Sequence, residues 1–275
     1  MVFLSAAPDL NVVGWPLDPT VYAGLVTLFI GHAWLARGCD LARIRSLYFG
    51  LGVLCLWLAL ETPIDTVSSD YLDSVHMVQH VLLGVIAPPL LLLGLNEPMA
   101  ARVASVPGVR LLTAPVPAQL VAGTVMVGWH VPALYNATLY SYPMHALEHL
   151  TFIAGGLLFW WPVLSATGLQ SGSPLSPGAR LLYLLVGTLP QDGVALALQF
   201  SRTPFYDFYT HAPRLIPGLD AVTDQTIAGV VLQLFGKSSF LVAGLVIFFR
   251  WFSQEMAADH GRGDEGHGHV ATGSG

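Results

Sequence analysis

Long apolar runs separated by short polar stretches organise this chain from one end to the other. Seven runs approach the ~20 residues that cross a hydrocarbon core as a helix: residues 21–36, 46–60, 74–95, 116–131, 144–165, 179–200 and 223–251. The last is long enough to begin with an interfacial turn. Loop punctuation stands between them: Glu61-Thr62-Pro63, Pro107-Gly108, Ser171-Gly172-Ser173-Pro174, and Ala212-Pro213 through Pro217-Gly218. No soluble domain fits between two runs. The pattern predicts an all-α, polytopic membrane protein. Residues 1–255 form a seven-transmembrane-helix bundle, and residues 256–275 a flexible His/Gly-rich cytoplasmic tail.

Basic residues orient the bundle. Arg37, Arg43, Arg45, Arg102, Arg110, Arg180, Arg250 and Arg262 fall in alternate loops and at the end, while the opposite loops hold only Arg202 and Arg214 among several aspartates. The N-terminus is therefore expected outside and the C-terminus inside. Composition agrees with the membrane class: of 275 residues, 54% are hydrophobic and only 10% charged, with mean hydropathy +0.62. A net charge of −6 argues against nucleic acid as a partner. Cys39 and Cys55 form no Cys-x-x-Cys spacing, so neither a disulfide framework nor a thiolate metal box is expected. No basic n-region with an h-region precedes Pro8 and Asp9, so the first run is expected to direct insertion itself.

Candidate chemistry concentrates at one membrane face. His76-Met77-Val78-Gln79-His80 and His145-Ala146-Leu147-Glu148-His149 repeat one pattern, His-x-x-(Gln/Glu)-His. Residues four apart on a helix sit one turn above each other, ~5–6 Å apart at Cβ, so each pair can aim two imidazoles at one ion. On the predicted topology His76, His80, His130, His145, His149 and His211 share the outer side, six of ten histidines. His32 lies inside the first run, and His260, His267 and His269 in the tail. Neutral imidazole suits copper, zinc, iron or nickel, and thioether adds a preference for Cu(I). Met77 and Met144 adjoin the pairs, and Met126 lies a turn before His130. Gln79 and Glu148 share a face with the first His of each pair and could orient its ring as outer-shell partners. Interfacial histidines also cap helices or hydrogen-bond across bundles, but both pairs with His130 favour a metal site.

Other polar intrusions are fewer. Lys237 in the seventh run and Asp192 after Pro190 in the sixth could form a buried intramembrane ion pair. Pro88-Pro89 should kink the third helix below its His pair. Trp160-Trp161-Pro162 reads as an aromatic belt at the inner interface. The glycine-rich tail could hold a metal loosely or be a solvated end.

Several of these segments together resemble a known family. His76 to His80, followed by Ala87-Pro88-Pro89-Leu90-Leu91-Leu92-Leu93-Gly94, is similar to the signature of the multi-span CtaG family of cytochrome c oxidase assembly factors, the branch associated with caa-type oxidases. Trp129-His130-Val131-Pro132-Ala133-Leu134-Tyr135 resembles its Trp-His-x-Pro segment. His145-x-x-Glu148-His149 running into Phe159-Trp160-Trp161-Pro162, and Asp224-Gln225 with Ala228-Gly229, are similar to later blocks. Leu232-Gln233-Leu234 departs from the Met/Trp-rich stretch expected there. The resemblance implies a multi-pass protein of the bacterial plasma membrane that serves maturation of a haem-copper oxidase through copper handling. By carry-over, His76, His80, His130, His145, His149 and Asp224 occupy motif positions, Asp224 as an outer-shell residue.

Three functions compete. An assembly factor would bind copper through His76, His80, His145 and His149, with His130 as fifth or alternate ligand, and pass it to an oxidase subunit. Its copper would come from a donor protein or the free ion, with zinc as the alternative metal and a homo-oligomer conceivable. No catalytic residue is expected in that case. A metal-dependent intramembrane hydrolase would instead use His145-x-x-Glu148-His149, with Glu148 activating zinc-bound water. Gln79 in the first copy cannot act as a base, which argues against it. A transmembrane haem carrier needs axial ligands on opposite porphyrin faces, which pairs at one membrane face supply poorly.

Overall fold

The computed structural model describes residues 13–164 and 175–268, with side chains to residue 257. Among the described residues every regular element is helical. In order they are α1 (Pro19–Leu35), α2 (Arg43–Leu60), α3 (Pro63–Asp70), α4 (Asp73–Val81), a π turn (Leu82–Ile86), α5 (Ala87–Leu93), α6 (Glu97–Ala104), α7 (Val109–Leu112), α8 (Pro115–Trp129), α9 (Pro132–Tyr140), α10 (Tyr142–Val163), α11 (Pro177–Phe200), α12 (Asp207–His211) and α13 (Ala221–Gly268). Four stretches are long and apolar enough to cross a membrane: Arg43–Leu60, Asp73–Leu93, Pro177–Phe200 and Ala221–Ala257. The remaining predicted runs coincide with α1 (17 residues), α8 (15 residues) and α10, whose 22 residues include His145, Glu148 and His149. The Ser171–Pro174 loop and His269 lie outside the described residues, as do the side chains of His260 and His267.

Proline and short polar side chains decide where helices begin. Pro19, Pro63, Pro115, Pro132 and Pro177 open α1, α3, α8, α9 and α11, where a missing N–H costs nothing and φ is already helical. Asp18 accepts from the Thr20 N–H at 2.7 Å and Asn96 from the Met99 N–H at 3.1 Å, capping α1 and α6. α4 has no such residue of its own, since Leu72 stands at its N-cap. Asp224 of α13 supplies the cap from a distance, accepting from the Asp73 N–H at 2.7 Å and the Ser74 N–H at 3.3 Å.

The prolines of the third run act one turn earlier than a simple kink. Pro88 and Pro89 have no N–H to return to Gly84, so its carbonyl has neither an i+4 nor an i+5 partner. The chain widens into the π turn instead, and the Ala87 N–H reaches back to the Leu82 carbonyl. Gly156 of α10 packs against that freed Gly84 carbonyl, where any Cβ would overlap the oxygen and the Pro88 ring. Lipid tails are as apolar as leucine, so helices in a bilayer associate through such small-residue contacts more than through apolar burial. A second close approach brings Gly229 of α13 onto the Ala195 carbonyl of α11.

Two buried clusters result. One joins α4–α5, α6, α9, α10, α11 and α13 around Met77, Leu92, Met99, Tyr135, Trp160 and Leu232. The other joins α2, α5 and α10 around Phe49, Leu56, Leu83 and Phe152. Outside them Phe29, Ile30, Leu120, Leu185, Leu189, Leu241 and Phe249 are exposed. An apolar exterior of that extent suits lipid as solvent and is rare on water-soluble monomers.

Candidate metal centre

The Gly84–Gly156 contact seats α10 on the π turn and α5, and the first turns of α10 then direct side chains toward those of α4. α4 and α10 each contribute an i, i+4 histidine pair to the space between them. Ring centroids stand 4.4 Å apart for His76 and His80, 4.1 Å for His145 and His149, and 5.3 Å for His76 and His145 across the helices. Glu148 enters the same space, its Oε2 3.7 Å from His76 Nε2 and its Oε1 3.4 Å from His80 Nε2. One ligand atom each from His76, His145, Glu148 and His149 lie within 4.8 Å of one another. His76 and Glu148 are fully buried, and His80 and His149 nearly so.

Hydrogen bonding fixes which nitrogen of His76 faces the group. The Tyr209 hydroxyl donates its one proton to the Ser68 carbonyl at 2.6 Å. His76 Nδ1, 3.0 Å from that hydroxyl, must therefore donate to it, and Nε2 turns a lone pair toward Glu148. Burial pushes the Tyr209 phenol well above its ordinary pKa, with the Asp73 carboxylate adding to the shift, so the hydroxyl keeps its proton. The groups facing inward have no hydrogen-bond partners among the described residues: His76 Nε2, both His80 nitrogens, His145 Nε2, His149 Nε2 and both Glu148 oxygens. Buried polar groups are normally satisfied. A carboxylate beside convergent imidazole lone pairs is what a cation satisfies, so this donor set fits copper or zinc.

The remaining candidates divide. His130 closes α8 with its ring 5.4 Å from that of His80, its Nδ1 2.7 Å from the Met126 carbonyl and its Nε2 3.3 Å from Met77 Sδ. Gln79 faces the other way, donating to the Ala59 carbonyl and to Asp65, each at 2.8 Å, and accepting from Ser68 at 2.9 Å. It holds α3 against α4 and reaches His76 only through Ser68 and Tyr209. Asp224 sits at the N-terminus of α4, and Gln225 beside it accepts from the Phe205 N–H at 2.6 Å. Met144 is half-buried at the start of α10. His211 is exposed against Asp207, and His32 stacks on Phe49 at 3.9 Å. Asp192 and Lys237 meet at 3.1 Å at the bundle exterior, the lysine side chain 45% exposed, so the pair forms without the burial expected for it.

A shell of tyrosines and an aspartate also supports the centre, and sequence reasoning gave it no role. Tyr135 donates to Asp73 at 2.6 Å and stacks on Tyr206 at 3.7 Å, while Tyr206 donates to the His130 carbonyl at 3.2 Å. The i, i+3 spacing of Tyr206 and Tyr209 was the available signal, in a loop where large amphipathic rings had no other evident use.

A family model described as cytochrome c oxidase caa3 assembly factor matches residues 26–254. Two uncharacterized proteins, one of Mycobacterium bovis and one of Mycobacterium tuberculosis, are each 24% identical over 272 residues, covering 88% of this chain and 40% of theirs. The chain thus spans about two fifths of the length of these curated relatives. No solved structure matches it.

Proposed function

Because the chain belongs to the family of cytochrome c oxidase caa3 assembly factors, we propose that it serves assembly by holding copper as cargo and passing it to an oxidase subunit. The cargo site is the cluster of His76, His145, Glu148 and His149, with His80 alongside. One observation carries this reading: buried nitrogens and carboxylate oxygens from two helices, without hydrogen-bond partners among the described residues, converge within bonding reach of one ion. One carboxylate among neutral imidazoles balances the single charge of Cu(I), which lowers the cost of holding the ion out of water. Zinc is the alternative metal. Tyr209 keeps His76 Nε2 free to bind, Gln79 anchors the helix that carries Ser68, and Asp224 fixes the start of α4. None of these residues needs to react, and the role is non-enzymatic. The same reading makes the bundle a seven-span protein of the bacterial plasma membrane, N-terminus outside, with copper arriving from a donor protein or as the free ion.

The test is made in cells that depend on this protein. His76→Ala with His80→Ala should leave oxidase polypeptides present but lower their copper content and activity about tenfold or more. Normal oxidase copper in that strain would overturn the reading. Glu148→Gln separates a carrier from a hydrolase. Either protein binds metal more weakly for the loss of one carboxylate donor. A carrier still delivers copper in proportion to what it binds, whereas a hydrolase loses turnover outright even when fully loaded.

A further inference from the structure

Beside the cluster, His130 and Met77 face each other in a way hydrogen bonding does not explain. The Met126 carbonyl 2.7 Å from His130 Nδ1 can only accept, so Nδ1 carries the proton of the neutral ring. Nε2 then presents its lone pair 3.3 Å from the Met77 sulfur. A thioether has no proton to give, so two electron-pair donors meet where Met77 is 0% and His130 6% exposed. A soft cation is what such a pair can share. On the bond lengths a first-row ion such as zinc makes, ~2.0 Å to nitrogen and ~2.3 Å to sulfur, a donor separation of 3.3 Å corresponds to an angle of about 100°, close to tetrahedral. His80 stands between this pair and the cluster, its ring 5.4 Å from His130 and 4.4 Å from His76. Both its nitrogens are buried and without hydrogen-bond partners among the described residues.

We infer that Met77 and His130 form a second position, selective for Cu(I), which exchanges its ion with the His76–His145–Glu148–His149 cluster through His80. This rests on the copper-handling reading above. The two positions differ in chemistry. The pair offers thioether and neutral imidazole, which favour Cu(I), whereas the cluster adds a carboxylate that also accepts divalent ions. Exchange requires no electron transfer. A bond from copper to His80 forms as one to Met77 or His130 breaks, and the ion stays monovalent throughout.

The full chain, purified in detergent, is loaded anaerobically with Cu(I) alone and challenged with a chromogenic Cu(I) chelator. Wild-type protein should retain two equivalents, and X-ray absorption should show a copper–sulfur shell at ~2.3 Å. Met77→Leu conserves side-chain volume in the core and should fold. It should retain one equivalent and lose the sulfur shell. Selenomethionine-labelled wild-type protein gives the same information without a substitution, because the sulfur shell must become a selenium shell. A wild-type protein without that shell, or a Met77→Leu protein that keeps both equivalents, overturns the inference. His76→Ala with His149→Ala tests the cluster separately and should retain only the sulfur-bound equivalent. If it retains both, the cluster reading falls while the Met77–His130 position stands.

Discussion

Residues Asp73–Leu93 and Ala221–Ala257 are both apolar enough to cross a bilayer, yet an 18-residue apolar window is 61% buried within the protein in the first and 11% in the second. Hydropathy does not distinguish a helix that faces protein from one that faces lipid. The difference lies in the residues each buries. The first stretch buries Asp73, His76, Met77, Gln79 and His80 along with its leucines. α13 engages the bundle through Asp224, Gln225, Ala228 and Leu232 near its start, and then presents Leu234, Phe235, Leu241 and Val242 outward. Polar groups at membrane depth are costly unless partnered. The helix that carries them therefore has to be central, and the other can lie at the rim.

The contrast is broken most directly by filling the contact that centres the first stretch. Gly156→Leu places a side chain against the Gly84 carbonyl and the Pro88 ring, neither of which can move aside cheaply. Overpacking costs about 1–3 kcal/mol in general, and this site should reach or exceed the upper end. Leu241→Ala on the outward face of α13 should change stability by no more than ~0.5 kcal/mol. Thermal unfolding of both variants in one detergent compares them. Equal losses would mean that α10 is joined to the π turn and α5 no more tightly than the rim is held.

A smaller effect probes the joint between the two stretches. Asp224→Ala leaves the Asp73 and Ser74 N–H groups without their acceptor. Loss of a cap costs about 0.5–2 kcal/mol. Asp224→Asn keeps an acceptor and should lose less than half as much. Both variants should bind the same number of metal ions as the parent protein, measured by metal analysis after gel filtration. Loss of bound metal without loss of thermal stability would move Asp224 from capping α4 into the centre itself.

Much of this arrangement was legible in the chain, for identifiable reasons. The His-x-x-x-His spacing on two apolar runs is a helical, one-face signal, and the structure brings His76, His145 and His149 together. Glu148 carried the same i, i+3 signal as Gln79, but only three-dimensional packing separates their fates. Gln79 finds Ala59, Asp65 and Ser68, while Glu148 faces the imidazoles. The double proline announced a distortion, but not that a π turn would absorb it one turn earlier. Asp224 could not be read as the cap of a helix some 150 residues away, because capping rules in sequence are local. The tyrosines were missed for the same reason, as their partners lie on other elements.

The last contrast concerns charge, and it sets one carboxylate packed beside α4 against one at the start of α13. Burial raises the Asp65 pKa to about 6, against the opposing hydrogen bond from Gln79. Asp220 is shifted the other way, its carboxylate lowered by hydrogen bonds from Thr223 at the first turn of α13. Between about pH 4 and 6 the folded chain binds more protons at Asp65 than the unfolded chain, so the contribution of Asp65 to stability falls as pH rises through that window. Asp220 contributes in the opposite sense and only below it, where its own stabilisation is lost as the carboxylate protonates. Asp65→Asn should make the change of the thermal midpoint with rising pH between 4 and 6 more positive than in the parent protein, since the amide oxygen can still accept from Gln79 but no longer titrates. Asp220→Asn should leave that slope unchanged. If the slope in Asp65→Asn is the same as in the parent protein, Asp65 does not titrate in that window, and the packing of α3 between α2 and α4 is looser than its hydrogen bonds indicate.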